Sequence, residues 1–152
     1  MKNRWLLVQQ LSDVLSPLQQ FTRQQIPVKG WIRTIRTVFG ITQKQLADKV
    51  NVSKQSIASL EQREAEGIVT LKTLQDVAEA FDMQLVYAFV PKVGTLEEYV
   101  NEKAQKKATE IVLRTANTMK LEDQENSQKR LKRAIEERTL DIKLNHIETL
   151  WD

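Results

Sequence analysis

The segment that decides the fold is residues 41–62, ITQKQLADKVNVSKQSIASLEQ, which reads as two short helices joined at Asn51. Thr42 and Gln45 have the spacing of a capping box, which predicts that the first helix starts at Thr42. Asn51 stands where a glycine often closes a helix, because asparagine enters the left-handed conformation with little strain. Ser53 is a good N-cap for the second helix. The segment therefore predicts a tight helical bend that needs no glycine.

The second helix of this segment has an unusual outer face. Ile57 and Leu60 point inward, so helical geometry turns a different set of side chains toward solvent. That set is Lys54, Gln55, Ala58, Ser59 and Gln62. Lysine and glutamine can reach base edges in a major groove, serine and alanine let a helix lie deep, and no acid lies between Ser53 and Leu60 to repel phosphate. Together with the capped first helix, this face favours a helix-turn-helix motif over an ordinary solvated surface.

Helical periodicity continues on both sides of the motif. The predicted helices cover 3–24 with a break at Pro17, 31–39, 71–81, 95–120 and 128–138. Residues 121–127 form a polar break. Residues 139–152, TLDIKLNHIETLWD, stay open between helix and strand, because Leu140, Ile142 and Leu144 alternate like a strand.

Residues 83–91, MQLVYAFVP, predict the single strand of a mainly all-α chain, because they are rich in β-branched and aromatic residues. A solitary strand leaves backbone N–H and C=O groups unpaired. We therefore expect two copies to pair this strand across a two-fold axis, in a homodimer that binds an inverted-repeat operator. The predicted dimerisation residues are Leu85, Val86, Tyr87, Ala88 and Phe89.

These predicted elements divide the chain into three parts. We expect an N-terminal helical extension over 1–27, a DNA-binding domain over 28–91 that includes the strand, and a C-terminal helical extension over 92–152. The formal net charge of +3 is mildly basic, which fits a polyanionic partner without proving one.

Composition argues against several other classes of protein. The chain has no cysteine and one histidine, His146, which leaves little material for a metal site. It has no glycine-rich phosphate loop, so we expect no cofactor and no catalysis. No apolar run approaches the roughly 20 residues that span a bilayer, and we expect a cytoplasmic protein without a membrane partner.

The motif and the helix behind it resemble the lambda-repressor/Cro-like (XRE) family of DNA-binding domains. The resemblance lies in TQKQLADKVNVSKQSIASLEQ and TLKTLQDVAEAF and covers about residues 28–82. It implies a compact bundle of five helices that binds double-stranded DNA. Arg36 and Glu61 match a family pair that forms a buried salt bridge, so we exclude both residues from the site.

By position, the same resemblance implies contacts for individual residues. Gln43 and Ser56 would touch phosphate. Lys54 and Gln55 would touch base edges or adjacent phosphates, and Ser59 would touch a base. The whole candidate DNA-binding set is Gln43, Lys44, Ser53, Lys54, Gln55, Ser56, Ser59 and Arg63.

A narrower resemblance extends over nearly the whole chain. The stretches PVKGWIRTIRTVFGITQKQLA, EAEGIVTLKTLQDVAEAFDMQLVYAFVP and LWD are similar to the mobile mystery protein A family, whose members are encoded beside a Fic-domain protein. This resemblance implies an antitoxin-like repressor of its own operon with a Fic-domain partner. Antitoxins that block Fic domains carry Ser or Thr four residues before Glu-Gly or Glu-Asn. Here Gln62 precedes Glu66-Gly67 and Leu121 precedes Glu125-Asn126, so that motif is absent.

Three alternatives stay open at this point. The chain is a sequence-specific repressor, or it is a toxin-neutralising interaction protein whose helix-turn-helix domain is mainly a scaffold. Trp151 is either docked on the chain's own helices or offered to a partner. The cluster Lys129, Arg130, Lys132 and Arg133 either contacts flanking phosphate or is a solvated face balanced by nearby acids.

Overall fold

The structure is a computed structural model that describes residues 3–23, 26–116 and 124–152. The α-helices in these residues are α1 (Arg4–Leu15), α2 (Trp31–Val38), α3 (Gln43–Val50), α4 (Lys54–Ala65), α5 (Leu71–Ala80), α6 (Leu96–Ala116) and α7 (Gln124–Asn145). Two 3-10 segments cover Ser16–Arg23 and Ile147–Trp151. None of the helices described is long and apolar enough to cross a membrane.

The chain divides into two compact units by packing. One unit is Thr22–Tyr87, and the other combines Met1–Phe21 with Ala88–Asp152. The N-terminal and C-terminal extensions that the sequence analysis separated thus pack in one unit. The boundaries predicted at 27/28 and 91/92 stay a prediction.

Helices α2 to α5 form the first unit around one apolar core. The buried side chains of this core are Ile32, Leu46, Ala47, Ile57, Leu60 and Val77. Leu46 and Ile57 are fully buried, which contributes about 1.5–3 kcal/mol each to folding. Ala47 is small and also buried, so α3 and α4 can pack closely across it.

The predicted bend between α3 and α4 is confirmed. Thr42 Oγ1 accepts a hydrogen bond from Gln45 N at 3.1 Å, and Thr42 N donates to Gln45 Oε1 at 2.8 Å. Asn51 has φ 58° and ψ 47°, the left-handed conformation that closes α3. Ser53 Oγ accepts from Ser56 N at 3.1 Å and caps α4. These caps fix the crossing of the two helices.

The predicted strand at 83–91 is wrong. These residues are irregular, and no strand occurs anywhere in the part of the chain that the structure describes. The physical reason is that a strand is stabilised by the backbone of a second strand, whereas side-chain alternation only shows that a segment could be one. The one internal candidate, residues 140–144, lies in α7.

The second unit packs α1, α6, α7 and the last 3-10 segment. Ala104, Ala108 and Ile142 form its buried centre, where the alanines let α6 and α7 approach closely. The predicted capping box at the start of α6 is confirmed, because Thr95 N donates to Glu98 Oε2 at 2.8 Å and Glu98 N donates to Thr95 Oγ1 at 3.2 Å.

The predicted helices of the second unit are confirmed with different bounds. Pro17 follows the end of α1 as predicted, and α7 contains both the expected helix at 128–138 and the ambiguous residues 139–145. Residues 124–127 belong to α7 rather than to a polar break. The predictions for residues 117–123 lie outside the described residues.

Trp151 is docked on the chain's own helices. Its ring stacks on Tyr99 with the ring centroids 6.2 Å apart and the planes 25° from parallel. Lys103 Nζ lies 5.5 Å from the centroid of Tyr99 and 5.4 Å from that of Trp151, within the range of a cation–π interaction. Trp151 is still 57% exposed, so this contact docks one side of the ring on Tyr99 and leaves the rest of it open to a partner.

A buried ion pair joins α2 to α4. Arg36 Nε donates to Glu61 Oε1 at 2.5 Å, and Arg36 Nη2 donates to Glu61 Oε2 at 3.2 Å. The side chains are 12% and 5% exposed. Arg36 Nη1 also donates to the carbonyl oxygen of Ile41 at 2.9 Å, just before α3. The pair implied by the family resemblance is therefore present, and it reaches three helices.

We predict that Glu61→Ala lowers the free energy of unfolding by about 3–5 kcal/mol, because it leaves the Arg36 charge buried without its carboxylate. Urea denaturation followed by circular dichroism measures this loss. The control is Asp76→Ala, which removes the partner of Lys72 in an exposed pair and should cost less than about 1 kcal/mol. Equal losses in the two variants would contradict a special role for the buried pair.

Candidate nucleic-acid interface

The outer face of α4 is exposed and carries no acidic group from Lys54 to Ser59, whereas at its C-terminal end the exposed Glu66 accepts a hydrogen bond from Gln62 Nε2 at 3.1 Å. Its exposed side chains are Lys54, Gln55, Ser56, Ala58, Ser59, Gln62 and Arg63. Ile57 and Leu60 hold the opposite side of the helix in the core. Glu61 is the first acid of α4, and it is buried against Arg36. A phosphate near this face would therefore meet cations and neutral polar groups.

The next acid of α4, Glu64, is also turned away from this face. Its Oε1 accepts a hydrogen bond from the backbone N–H of Ile32 at 2.8 Å, at the start of α2. Gly30 makes room for it, because a Cβ on Gly30 would lie 2.5 Å from that oxygen. Gly30 also has φ 80°, a conformation that favours glycine. Glu64 thus caps α2 from a neighbouring helix.

This role of Glu64 was not among the predictions made from the sequence. A signal for it was present in the spacing, because Glu64 lies seven residues after Ile57 and four after Leu60, on the inward stripe of α4. A carboxylate on an inward stripe needs a donor, and the N-terminus of a helix is one source of donors.

The first turn of α4 is arranged by two serines. Ser53 Oγ accepts from Ser56 N, and the two hydroxyl oxygens lie 2.8 Å apart. The first turn contains no acidic residue, so the positive end of the helix dipole is not neutralised there. Ser53 therefore acts first as a helix cap, and the turn that it holds presents backbone N–H groups suited to a phosphate.

Gln43 lies at the start of α3 and is half-buried. Its Nε2 donates to Glu61 Oε2 at 3.2 Å, which connects it to the buried ion pair. A side-chain amide has two N–H donors and a carbonyl oxygen, so this bond leaves one N–H for a phosphate. The neighbouring Lys44 is exposed. Glu61 thus orients a candidate phosphate contact without lying on the surface itself.

The candidate side chains fall into two rows on α4. Gln55 and Ser59 share the centre of the exposed face, because residues four apart lie on the same side of a helix, and Lys54 lies on one edge of that face. Ser56 and Arg63 lie on one flank of that row. The predicted dimerisation residues lie elsewhere: Leu85 is half-buried, whereas Val86, Tyr87, Ala88 and Phe89 are exposed in the irregular segment after α5.

Comparison with known proteins agrees with this geometry. Residues 32–87 match the model of the family described as Helix-turn-helix, a range that includes α2 to α5. Comparisons with curated proteins and with solved structures found no match. The matched range gives no support to the narrower mobile mystery protein A resemblance or to a Fic neighbour. Residues 32–87 therefore match a helix-turn-helix domain of the XRE type, and this match suggests a DNA-binding regulator.

Proposed function

We propose that the protein is a sequence-specific repressor that binds an operator in front of its own gene through the outer face of α4. One observation carries this proposal: the face is free of acids from Lys54 to Ser59, because the first two acids of the helix, Glu61 and Glu64, are both turned inward onto α2. An ordinary surface helix has no need to turn its first two carboxylates away from its outer face. A helix that enters a DNA groove does, because each exposed carboxylate would repel phosphate.

The chemistry of the face fits the major groove. A glutamine such as Gln55 can pair with the N6 and N7 groups of adenine, and a lysine such as Lys54 can donate to the O6 and N7 of guanine. Ser59 is short and can donate or accept. Docking angle and DNA shape add to these preferences, so the side chains alone do not define the operator.

Binding of DNA can be tested by fluorescence anisotropy with the duplex upstream of the gene and a random duplex of equal length, each at two salt concentrations. We expect tighter binding to the upstream duplex at both salt concentrations and salt-sensitive binding to the random one. Equal affinity for both duplexes, or no binding at low salt, would overturn the proposal. Either result would favour the interaction protein with a scaffold domain.

We predict that Gln55→Ala and Ser59→Ala each weaken operator binding by about 1–3 kcal/mol and leave binding to random DNA nearly unchanged, since both remove base contacts. Gln43→Ala should weaken both, because a phosphate contact is independent of sequence. The matched control is Gln75→Ala, an exposed glutamine on α5. If the Gln55 and Ser59 variants bind the operator like this control, the surface that contacts the bases is not on α4.

We also propose that two copies of the chain bind an inverted repeat as a homodimer. Support comes from Val86 and Tyr87, which are 73% and 65% exposed although both are apolar in character. Covering such side chains with a second copy would stabilise a dimer through apolar burial, without a paired strand. A two-fold dimer places its reading helices about 34 Å apart, which is one turn of DNA.

We predict that Val86→Lys yields monomers in sedimentation equilibrium and weakens operator binding by at least about tenfold. Val28→Lys is the matched control, because Val28 is 92% exposed and receives the same new charge. A monomeric wild type at micromolar concentration, or a Val86→Lys variant that still dimerises, would exclude this surface from dimerisation.

An antitoxin role toward a Fic-domain protein rests on the narrower sequence resemblance alone. The inhibitory motif of such antitoxins is absent from the sequence, so we do not expect direct inhibition. Our proposal is accordingly a regulator without catalysis, whose first partner is double-stranded DNA.

A further inference from the structure

A second cationic surface lies on α7. It consists of Lys129, Arg130, Lys132 and Arg133, and we call it the α7 basic cluster. All four side chains are exposed. Within the described residues, the first three form no ion pair, and Arg133 Nε pairs with Glu137 Oε1 at 3.1 Å on the solvent side. Exposed pairs of this kind contribute little, so a stronger anion can replace Glu137.

The other cations of the same unit mostly have partners within it. The contacts are Arg4 with Glu148, Lys103 with the rings of Tyr99 and Trp151, Lys107 with the carbonyl oxygen of Thr149, Arg138 with Asp141, and Lys143 with Asn101 and the ring of Trp5. Apart from the Arg138–Asp141 pair within α7, these contacts join different elements of the unit. The α7 basic cluster joins no other element in the described part of the chain, since α7 packs on α6 through its opposite side, where Ile135 and Ile142 lie.

The cluster also has an arrangement that the helix itself does not favour. Arg133 precedes its partner Glu137 by four residues, which is the weaker order for such a pair in a helix. Four cations within five residues also repel each other, because each lies close to the next on the same surface. The exposed Glu136 and Glu137, which follow on the same helix, offset part of this repulsion, and a bound polyanion would offset more of it.

We propose that the α7 basic cluster binds the phosphate backbone of the DNA that flanks the operator. The proposal rests on the proposed function, because it adds a second contact to the same DNA. Residues 129–133 span about 6 Å of helix, long enough to reach about two phosphates of one strand. Flexible lysine and arginine side chains bind phosphate as charges, so this contact is independent of base sequence. It lengthens the DNA site beyond the base pairs that α4 reads.

The test compares the full-length double variants Lys129→Gln/Lys132→Gln and Lys92→Gln/Lys106→Gln. Both variants lose two charges from exposed lysines of the same unit, so they differ only in where the charges are lost. Affinity is measured by fluorescence anisotropy at salt concentrations between about 50 and 200 mM, a range in which counterion release changes affinity strongly. Two operator duplexes are compared, one with flanks of about ten base pairs on each side and one without flanks. Circular dichroism checks that both variants keep their helices.

We expect the α7 variant to bind the flanked duplex on the order of tenfold more weakly and to lower the slope of log affinity against log salt by about 2. The loss should be equal for flanked random DNA and nearly absent on the duplex without flanks. The control variant should match wild type. These results together would support a flanking phosphate contact.

Two outcomes would overturn the proposal. If wild type binds the operator and the α7 variant matches the control in affinity and salt slope, the cluster is not a DNA contact and the proposed function stands. If the α7 variant loses as much on the duplex without flanks, the charges act through the whole protein rather than on flanking phosphate. Failure of wild type to bind any duplex would instead remove the proposed function, and this inference with it.

Discussion

The buried pair between Arg36 and Glu61 is the constraint on which the helix-turn-helix unit depends. A carboxylate at 5% exposure is costly unless a cation and further donors satisfy it. Here the guanidinium supplies two bonds, and Gln43 supplies a third. Because Arg36 also bonds the carbonyl oxygen of Ile41, the pair determines how α2 lies against α4 and where α3 begins.

This constraint links the interior of the unit to its outer surface. Turning Glu61 inward removes a negative charge from α4, and the same contact orients Gln43 at the edge of the candidate interface. Glu64 follows the same logic at the far end of α4, where it caps α2 beside Gly30. The acids of α4 therefore stabilise the bundle, while its outer side stays suited to a polyanion. Stability and charge selectivity arise here from the same side chains.

Local chemistry explains which parts of the fold could be predicted from the sequence. The caps at Thr42 and Ser53 and the left-handed conformation of Asn51 depend on neighbours within a few residues, so the local sequence was sufficient to predict them. The strand at 83–91 could not be predicted correctly, because a strand depends on a distant partner that local alternation does not reveal. Residues 139–145 were ambiguous for the same reason. Ile142 packs beside Ala104 and Ala108, and this packing stabilises a helix there. In the candidate site, periodicity predicts the exposed set on α4 and also places Glu64 on the inward side, but the donor that Glu64 meets beside Gly30 required the structure.

The division of the chain has a consequence for the order in which the protein forms during synthesis. The helix-turn-helix unit is one continuous segment, Thr22–Tyr87, so it has all its parts as soon as that segment leaves the ribosome. The other unit must wait, because Arg4 of α1 pairs with Glu148 and Lys143 of α7 lies over Trp5. Contacts so far apart in sequence require closure of a long loop, which slows folding. Until then α1 exposes the apolar side chains of Trp5, Val8 and Leu15, which are half-buried in the folded unit, so the nascent chain carries a helix-turn-helix unit while its first helix still lacks its partners.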